Sequence, residues 1–240
     1  MDVHTTNGTS HGVLIEAGEA RLEGELMLPG AGSGIVAFAH GSGSSRHSPR
    51  NRRVATALNE AGFGTLLFDL LTPAEAAVDE RTGEWRFDIA LLSRRLTGAV
   101  DWLTKEATTQ ARPIGLFGAS TGAAAALLAA AARPDAVAAV VSRGGRPDLA
   151  GTALGGVRAP VLLIVGGNDR VVIELNRHAQ AELHGEAELQ IVPGATHLFE
   201  EPGTLEEVIR LAAAWFDRYL HGTARPSAAG PGPQNVERER

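Results

Sequence analysis

Short, almost wholly apolar runs alternate along this chain with segments of helical spacing, and that alternation restricts the folds open to it more than any other feature. "GIVAFAH" (34–40), "FGTLLFDL" (63–70), "IGLF" (114–117), "AVAAVV" (136–141), "PVLLIVG" (160–166) and "LQIV" (189–192) read as strands. Their near-continuous apolar character marks strands buried on both faces. Helical patterns lie between them. Residues 51–61 place Val54, Leu58 and Ala61 on one face, and Ile89 to about Lys105 carries Ile89, Leu92, Leu96, Val100 and Leu103 as a stripe. An Ala-rich stretch follows Gly122, and further helices are expected over 172–183 and 205–219. Strands alternating with helices build a mostly parallel sheet covered on both faces. Ahead of this series, "VLIEA" and "ARLEGELMLP" alternate apolar and polar residues around Gly18-Glu19, as a hairpin does. The expected fold is therefore α/β, a mostly parallel doubly wound sheet with an antiparallel N-terminal hairpin. The polar segment 71–88 is expected to hang as a long loop over the sheet's carboxyl edge.

A length of 240 residues with 44% apolar residues suits one α/β domain, expected over residues 1–221. From Gly222 the chain reads "GTARPSAAGPGPQNVERER", rich in Pro, Gly and charge without periodicity, which predicts a disordered tail over 222–240. A net charge of -6 provides no basic excess to neutralise phosphates, so no nucleic-acid partner is expected. With no cysteine, disulfides, thiolate catalysis and Cys-bound metal are excluded. There is no H-E-x-x-H and no histidine pair at helical spacing, and "GAGSG" and "GSGSS" complete neither G-x-G-x-x-G nor a Walker lysine. No metal or cofactor is expected. The opening "MDVHTTNGTSHG" has neither basic nor apolar leader character, and no apolar run reaches the length of a membrane span. These features predict a cytoplasmic protein without membrane contact, and leave its oligomeric state open.

Between the run "IGLF" and the Ala-rich helix stands "GASTG", residues 118–122. A serine between two glycines at a strand-to-helix turn has two readings. One is a nucleophile elbow, the sharp G-x-S-x-G turn that presents a serine oxygen above a parallel sheet; the other is a helix cap in a Gly-rich turn. In open α/β sheets function collects at the carboxyl ends of strands. There the chain places His40-Gly41-Ser42, Asp69, Ser120, Ser142-Arg143 and Asp169, with His197 after the last strand. Asp169, in "LLIVGGND", could be ordinary turn chemistry, and His197, in "IVPGATHLFE", a surface-loop histidine. Their order is the stronger sign, because Ser120, Asp169, His197 is the chain order of an α/β-hydrolase triad. The backbone N–H groups of Thr121 and of Ser42 (or of Gly41) would then form the oxyanion hole, with His40 holding the loop.

On these residues the chain resembles the α/β-hydrolase superfamily over 13–221. In detail it is similar to the dienelactone-hydrolase-like esterases through "RLEGELMLP", "AHGSGSSRHSPRN", "AGFGTLLFDLLT", "GASTGAAAAL" and "PVLLIVGGND". The resemblance implies acyl transfer on Ser120, with Asp169 and His197 completing the triad and a small-molecule ester or lactone as substrate. Dienelactone hydrolases proper use a cysteine nucleophile and a different oxyanion loop, so their substrate is not carried over. A ligand-binding protein of this fold with little turnover is the competing reading.

Several further residues have two readings each. Asp148, in "SRGGRPDLAG", is the reserve acid, since some members of the fold take it from that position. Arg143 could attract an acidic substrate or form a surface ion pair. "SRHSPRNRR" (45–53) brings Arg46 and Arg50 beside the oxyanion loop, either for anionic esters or as a solvated helix start. Trp85 and Phe87 could line an acyl pocket or pack beneath the next helix.

Overall fold

The computed structural model describes residues 8–30 and 34–221; the tail expected at 222–240 lies outside them. One eight-stranded sheet runs in the order β1-β2-β4-β3-β5-β6-β7-β8. Its first two strands, β1 (Thr9–Ala17) and β2 (Ala20–Leu28), form the hairpin, and β2 joins the rest antiparallel to β4 (Gly64–Phe68). The others are parallel: β3 (Ile35–Ala39), β5 (Ile114–Ala119), β6 (Val137–Arg143), β7 (Val161–Gly166) and β8 (Ala187–Val192).

Side chains alternate across the strands, so the apolar runs feed two cores. On one face Ala37, Leu116 and Val140 pack against α3 (Ile89–Leu103), α4 (Thr121–Ala132) and α5 (Arg170–Glu182). On the other, Phe38, Phe117, Val141 and Ile164 meet α1 (Pro49–Glu60) and α6 (Thr204–Leu220). Helix α4 is buried nearly all round, which explains its alanines: small side chains let it lie close to both sheet and neighbouring helices.

One feature departs from the sequence reading. The segment 71–88 is no loop, because Pro73–Thr82 form helix α2. It lacks an apolar stripe, yet its start is fully specified: Thr72 and Glu75 form a reciprocal capping box, Pro73 opens the first turn, and Gly83 closes the helix in the left-handed conformation. The connection between β6 and β7 is a pair of 3₁₀ turns over Pro147–Gly156, kinked at Gly151, rather than a full helix. No helix among the described residues is long and apolar enough to cross a membrane.

Candidate active site

β5 delivers Ser120 to the carboxyl edge of the sheet in a conformation that side-chain-bearing residues rarely adopt, φ 52° and ψ -120°. The turn is pinned from several sides. The Ser120 N–H donates to the Arg143 carbonyl at 3.2 Å, and the Ser120 carbonyl accepts from the N–H groups of Ala123 and Arg146, both at 3.1 Å. The flanking glycines are steric necessities. A Cβ on Gly118 would stand 2.4 Å from the Cα of Ala123, and one on Gly122 would stand 2.2 Å from the carbonyl oxygen of Ala39. Strain of this kind persists only where the surroundings over-determine it.

The helix-cap reading fails on geometry. Ser120 occupies the N-cap position of α4 but its side chain caps nothing; Oγ lies 3.3 Å from Nε2 of His197. Asp169 likewise precedes α5 without capping it, and Oδ2 lies 2.7 Å from Nδ1 of the same imidazole. The histidine is carried by the segment after β8. This is anchored by the buried side chains of Ala195 and Phe199, and Gly166 of β7 leaves room for the carbonyls of Ala195 and Thr196. Three distant stretches thus meet in one hydrogen-bonded line, serine to imidazole to carboxylate.

Opposite the serine runs the loop after β3. A Cβ on Gly41 would come within 3.2 Å of the Ser120 Cβ, so this backbone passes directly against the serine. The N–H groups of Gly41, Ser42 and Thr121 donate to no protein acceptor among the described residues. The loop is held by His40, which is buried: Nε2 accepts the N–H of Leu70 at 3.1 Å, leaving Nδ1 to donate to the Gly41 carbonyl at 3.0 Å. Burial lowers the pKa of His40 below its ordinary 6.5, outweighing the Gly41 carbonyl and the charge of Asp69. A depressed histidine pKa means the native chain stays neutral while the unfolded chain takes up a proton near pH 6.5. Stability from this site is therefore complete above about 6.5 and falls as the pH drops below it. The melting temperature of His40→Asn is expected to be lower at neutral pH and to fall less steeply on acidification than that of the wild type; parallel acid limbs would remove His40 from this role.

A cleft of about 780 Å³ opens beside this loop, lined by residues 40–49, Asp69, Leu71, Arg86 and the α2 residues Pro73, Ala76, Asp79 and Glu80. Asp79 and Arg86, which were not candidates on sequence alone, fasten this wall. Buried Asp79 accepts the N–H groups of Trp85 (2.7 Å) and Arg86 (2.9 Å) and the Arg86 Nε (2.7 Å). The capping box Thr72-x-x-Glu75 was the readable signal for the helix that carries Asp79.

Trp85 is partly buried against the core, and Phe87 is 63% exposed; neither lines the cleft, so the structure does not support them as pocket residues. Arg46 is engaged by carboxylates: its backbone N–H and Nη1 donate to Asp69, and Nη2 donates to Glu23 at 2.7 Å. Arg50 donates through Nη1 to Glu200 at 2.9 Å. Asp148 faces Arg146 in a two-pronged ion pair at 2.9 and 2.7 Å and makes no hydrogen bond to His197. Arg143 is not the surface ion pair that exposure would produce, being only 8% exposed with no acidic partner among the described residues. No group of three or more His, Cys, Asp or Glu among the described residues could hold a metal ion.

The sheet order and the strained serine turn define an α/β-hydrolase fold, with the hydrogen-bonded line Ser120, His197, Asp169 at its carboxyl edge. Comparison with known proteins narrows this. The dienelactone hydrolase family model matches residues 27–219, and the chain belongs to that family. It is 56% identical to the dienelactone hydrolase from Anabaena variabilis, whose crystal structure it matches with a TM-score of 0.88 over 89% of this chain and 99% of that one. Est1E from Butyrivibrio proteoclasticus shares the fold at 18% identity, with a TM-score of 0.72 over 86% of this chain and 98% of that one. A protein of Mycobacterium tuberculosis H37Rv, provisionally named a phosphoribosyl transferase, is 58% identical over 221 residues, or 92% of this chain and 47% of that protein. The chain thus spans about half the length of the curated relatives it matches. Family membership supports a hydrolase.

Proposed function

We propose that this chain is a serine hydrolase that cleaves small carboxylic esters or lactones through an acyl-enzyme on Ser120. The observation that carries this reading is the continuous relay, Oγ to Nε2 at 3.3 Å and Nδ1 to Oδ2 at 2.7 Å. His197 takes the proton of Ser120 as Oγ attacks the ester carbonyl. Asp169 keeps the proton of the imidazole on Nδ1 and stabilises the imidazolium. The free N–H groups of Ser42 and Thr121 receive the oxyanion, each worth about 3 kcal/mol of barrier in comparable sites. His197 then passes its proton to the leaving alcohol, and water, activated by the same histidine, releases the acid from Ser120.

The name carried by the longer relatives suggests transfer of a phosphoribosyl group. In that chemistry a nitrogen displaces pyrophosphate at a sugar carbon, and a Ser–His–Asp relay has no part in it. We therefore assign hydrolysis to the half that this chain represents. A fluorophosphonate probe separates the enzyme from a ligand-binding protein of the same fold, because only an activated serine is labelled.

The cleft also indicates substrate size. It adjoins Ser120 through Gly41, its lining sets the charged Glu23, Arg46, Asp69, Asp79 and Arg86 beside the apolar Leu71 and Leu92, and the β6–β7 connection contributes only 3₁₀ turns, so no deep apolar tunnel is built by these described residues. Each added methylene of an acyl chain then gains little of the ~0.8 kcal/mol that burial would provide. Across p-nitrophenyl esters from acetate to palmitate, kcat/KM is expected to be highest for short acyl groups, with no jump above the micelle threshold. A maximum at long chains would refute the open polar site.

A further inference from the structure

The buried stripe of α5 runs through Val172, Ile173 and Ala179, yet at its centre stands Asn176, fully out of solvent. Burying an amide there costs free energy unless its donors are satisfied. Its Nδ2 donates to two carbonyls, that of Val172 one turn back at 2.8 Å and that of Gly145 at 3.0 Å. Two carbonyl partners require the amide nitrogen, the donor, to face them. The second bond leaves α5 and takes hold of the peptide joining Gly145 to Arg146. That peptide is wedged beneath the serine turn: a Cβ on Gly145 would stand 2.6 Å from the Cβ of Ala123 and 2.0 Å from the Ser142 Oγ. Its other end, the Arg146 N–H, donates to the Ser120 carbonyl at 3.1 Å. A peptide group is planar, with its C=O and N–H pointing opposite ways. The Ser120 carbonyl therefore belongs to the same rigid unit as the Thr121 N–H, the group that receives the oxyanion in the proposed mechanism. One line of hydrogen bonds runs from Asn176 through two peptide groups to that N–H, and aligned hydrogen bonds polarise one another. The Ser120 carbonyl also accepts from the Ala123 N–H at 3.1 Å, but that bond lies within the first turn of α4, whereas the Arg146 bond ties the unit to the β6–β7 connection.

We propose that Asn176 is a positioning residue for the oxyanion hole: by holding the Gly145–Arg146 peptide it aims and polarises the Thr121 N–H. It touches no substrate and acts through Gly145, Arg146 and Ser120. This deepens the esterase reading and rests on it, since it makes α5, the helix that Asp169 precedes, serve the oxyanion as well as the imidazole.

Two variants separate this role from plain support of the fold. Asn176→Leu fills the space but donates nothing. Asn176→Ser can still bond the Val172 carbonyl, as helix serines do one turn back, but its short side chain falls short of Gly145. Both are expected to lower kcat on p-nitrophenyl acetate by roughly ten- to thirtyfold with KM little changed, short of the roughly 10²- to 10³-fold cost of losing a whole oxyanion donor. Phenylboronic acid, which adds to a serine oxygen as a tetrahedral anion, should lose affinity by a similar factor. Thr109→Val is the control. Thr109 is likewise buried, and its Oγ1 donates to the Leu103 carbonyl at 2.7 Å in the connection that leads to the amino end of β5. This variant should lower the melting temperature and leave kcat unchanged. Should Asn176→Leu fail to fold, Asn176→Ser decides the matter. Amide exchange reads the relay without turnover. In Asn176→Ser the Arg146 N–H should exchange about tenfold faster relative to that of Val140, which donates to the Pro160 carbonyl at 2.9 Å. The proposal is overturned by folded Asn176 variants that keep kcat within about twofold of wild type, by a loss confined to KM, by an equal kcat loss in Thr109→Val, or by unchanged Arg146 exchange. Absence of ester cleavage and of the fluorophosphonate label in the wild-type chain would instead sink the esterase reading, while the exchange ratio would still report whether Asn176 holds this peptide.

Discussion

Ser120→Ala is expected to abolish labelling by fluorophosphonate and to lower kcat on a short-chain ester by about 10⁵ to 10⁶, the scale seen when a triad serine is removed. The fold should be indifferent to the change. Among the described residues Oγ makes a single hydrogen bond, to His197, and it caps no helix. Alanine carries the same Cβ as serine into the positive-φ turn, so the backbone strain is unaltered. A melting temperature close to that of the wild type, within the range of about ±0.5 kcal/mol typical of neutral substitutions, should accompany the loss of rate. Near-normal turnover by a folded Ser120→Ala chain would show that the hydrolytic nucleophile lies elsewhere.

Asp169→Asn should cost about 10⁴ in kcat with KM little changed, by analogy with the same substitution in a triad on another fold. Asparagine has nearly the same shape as aspartate, but its amide can donate to Nδ1. The imidazole proton then moves to Nε2, where it points at the Ser120 Oγ that the histidine deprotonates in the proposed mechanism. Asp148→Asn serves as the comparison. Its carboxylate is bound two-pronged by Arg146 and makes no contact with the imidazole, so activity should stay within a few fold of wild type. The sign of the difference between the two variants is the test: a severe Asp148→Asn beside a mild Asp169→Asn would reverse the assignment of the acid.

The legible parts of this protein were those where local chemistry and global fold agree. Gly118 and Gly122 bracket Ser120 because any larger residue would collide with Ala123 or with the Ala39 carbonyl, so the turn is written as G-x-S-x-G. Asp169 and His197 each follow a strand of the parallel sheet, and chain order placed them at the same edge as Ser120. Helix α2 was less legible. It packs one residue, Ala76, against the core while its polar face lines a cleft, so it lacks the apolar stripe by which helices are recognised. Trp85 has a place in the core rather than a pocket only in the folded chain, where it is partly buried against the larger hydrophobic cluster.

By itself the sequence determined the layered α/β fold, the N-terminal hairpin and the three residues of the Ser–His–Asp line. Strand periodicity, glycine sterics and strand-end position are all properties of short stretches of chain. The tertiary structure alone decided the fate of the arginines. Arg46, Arg50 and Arg143 look alike in a string of letters, but Arg46 meets Asp69 and Glu23, Arg50 meets Glu200, and Arg143 meets no carboxylate among the described residues. Whether a charge is neutralised depends on what the fold brings within hydrogen-bonding distance. For Arg50 that partner lies 150 residues along the chain, and no local pattern encodes it.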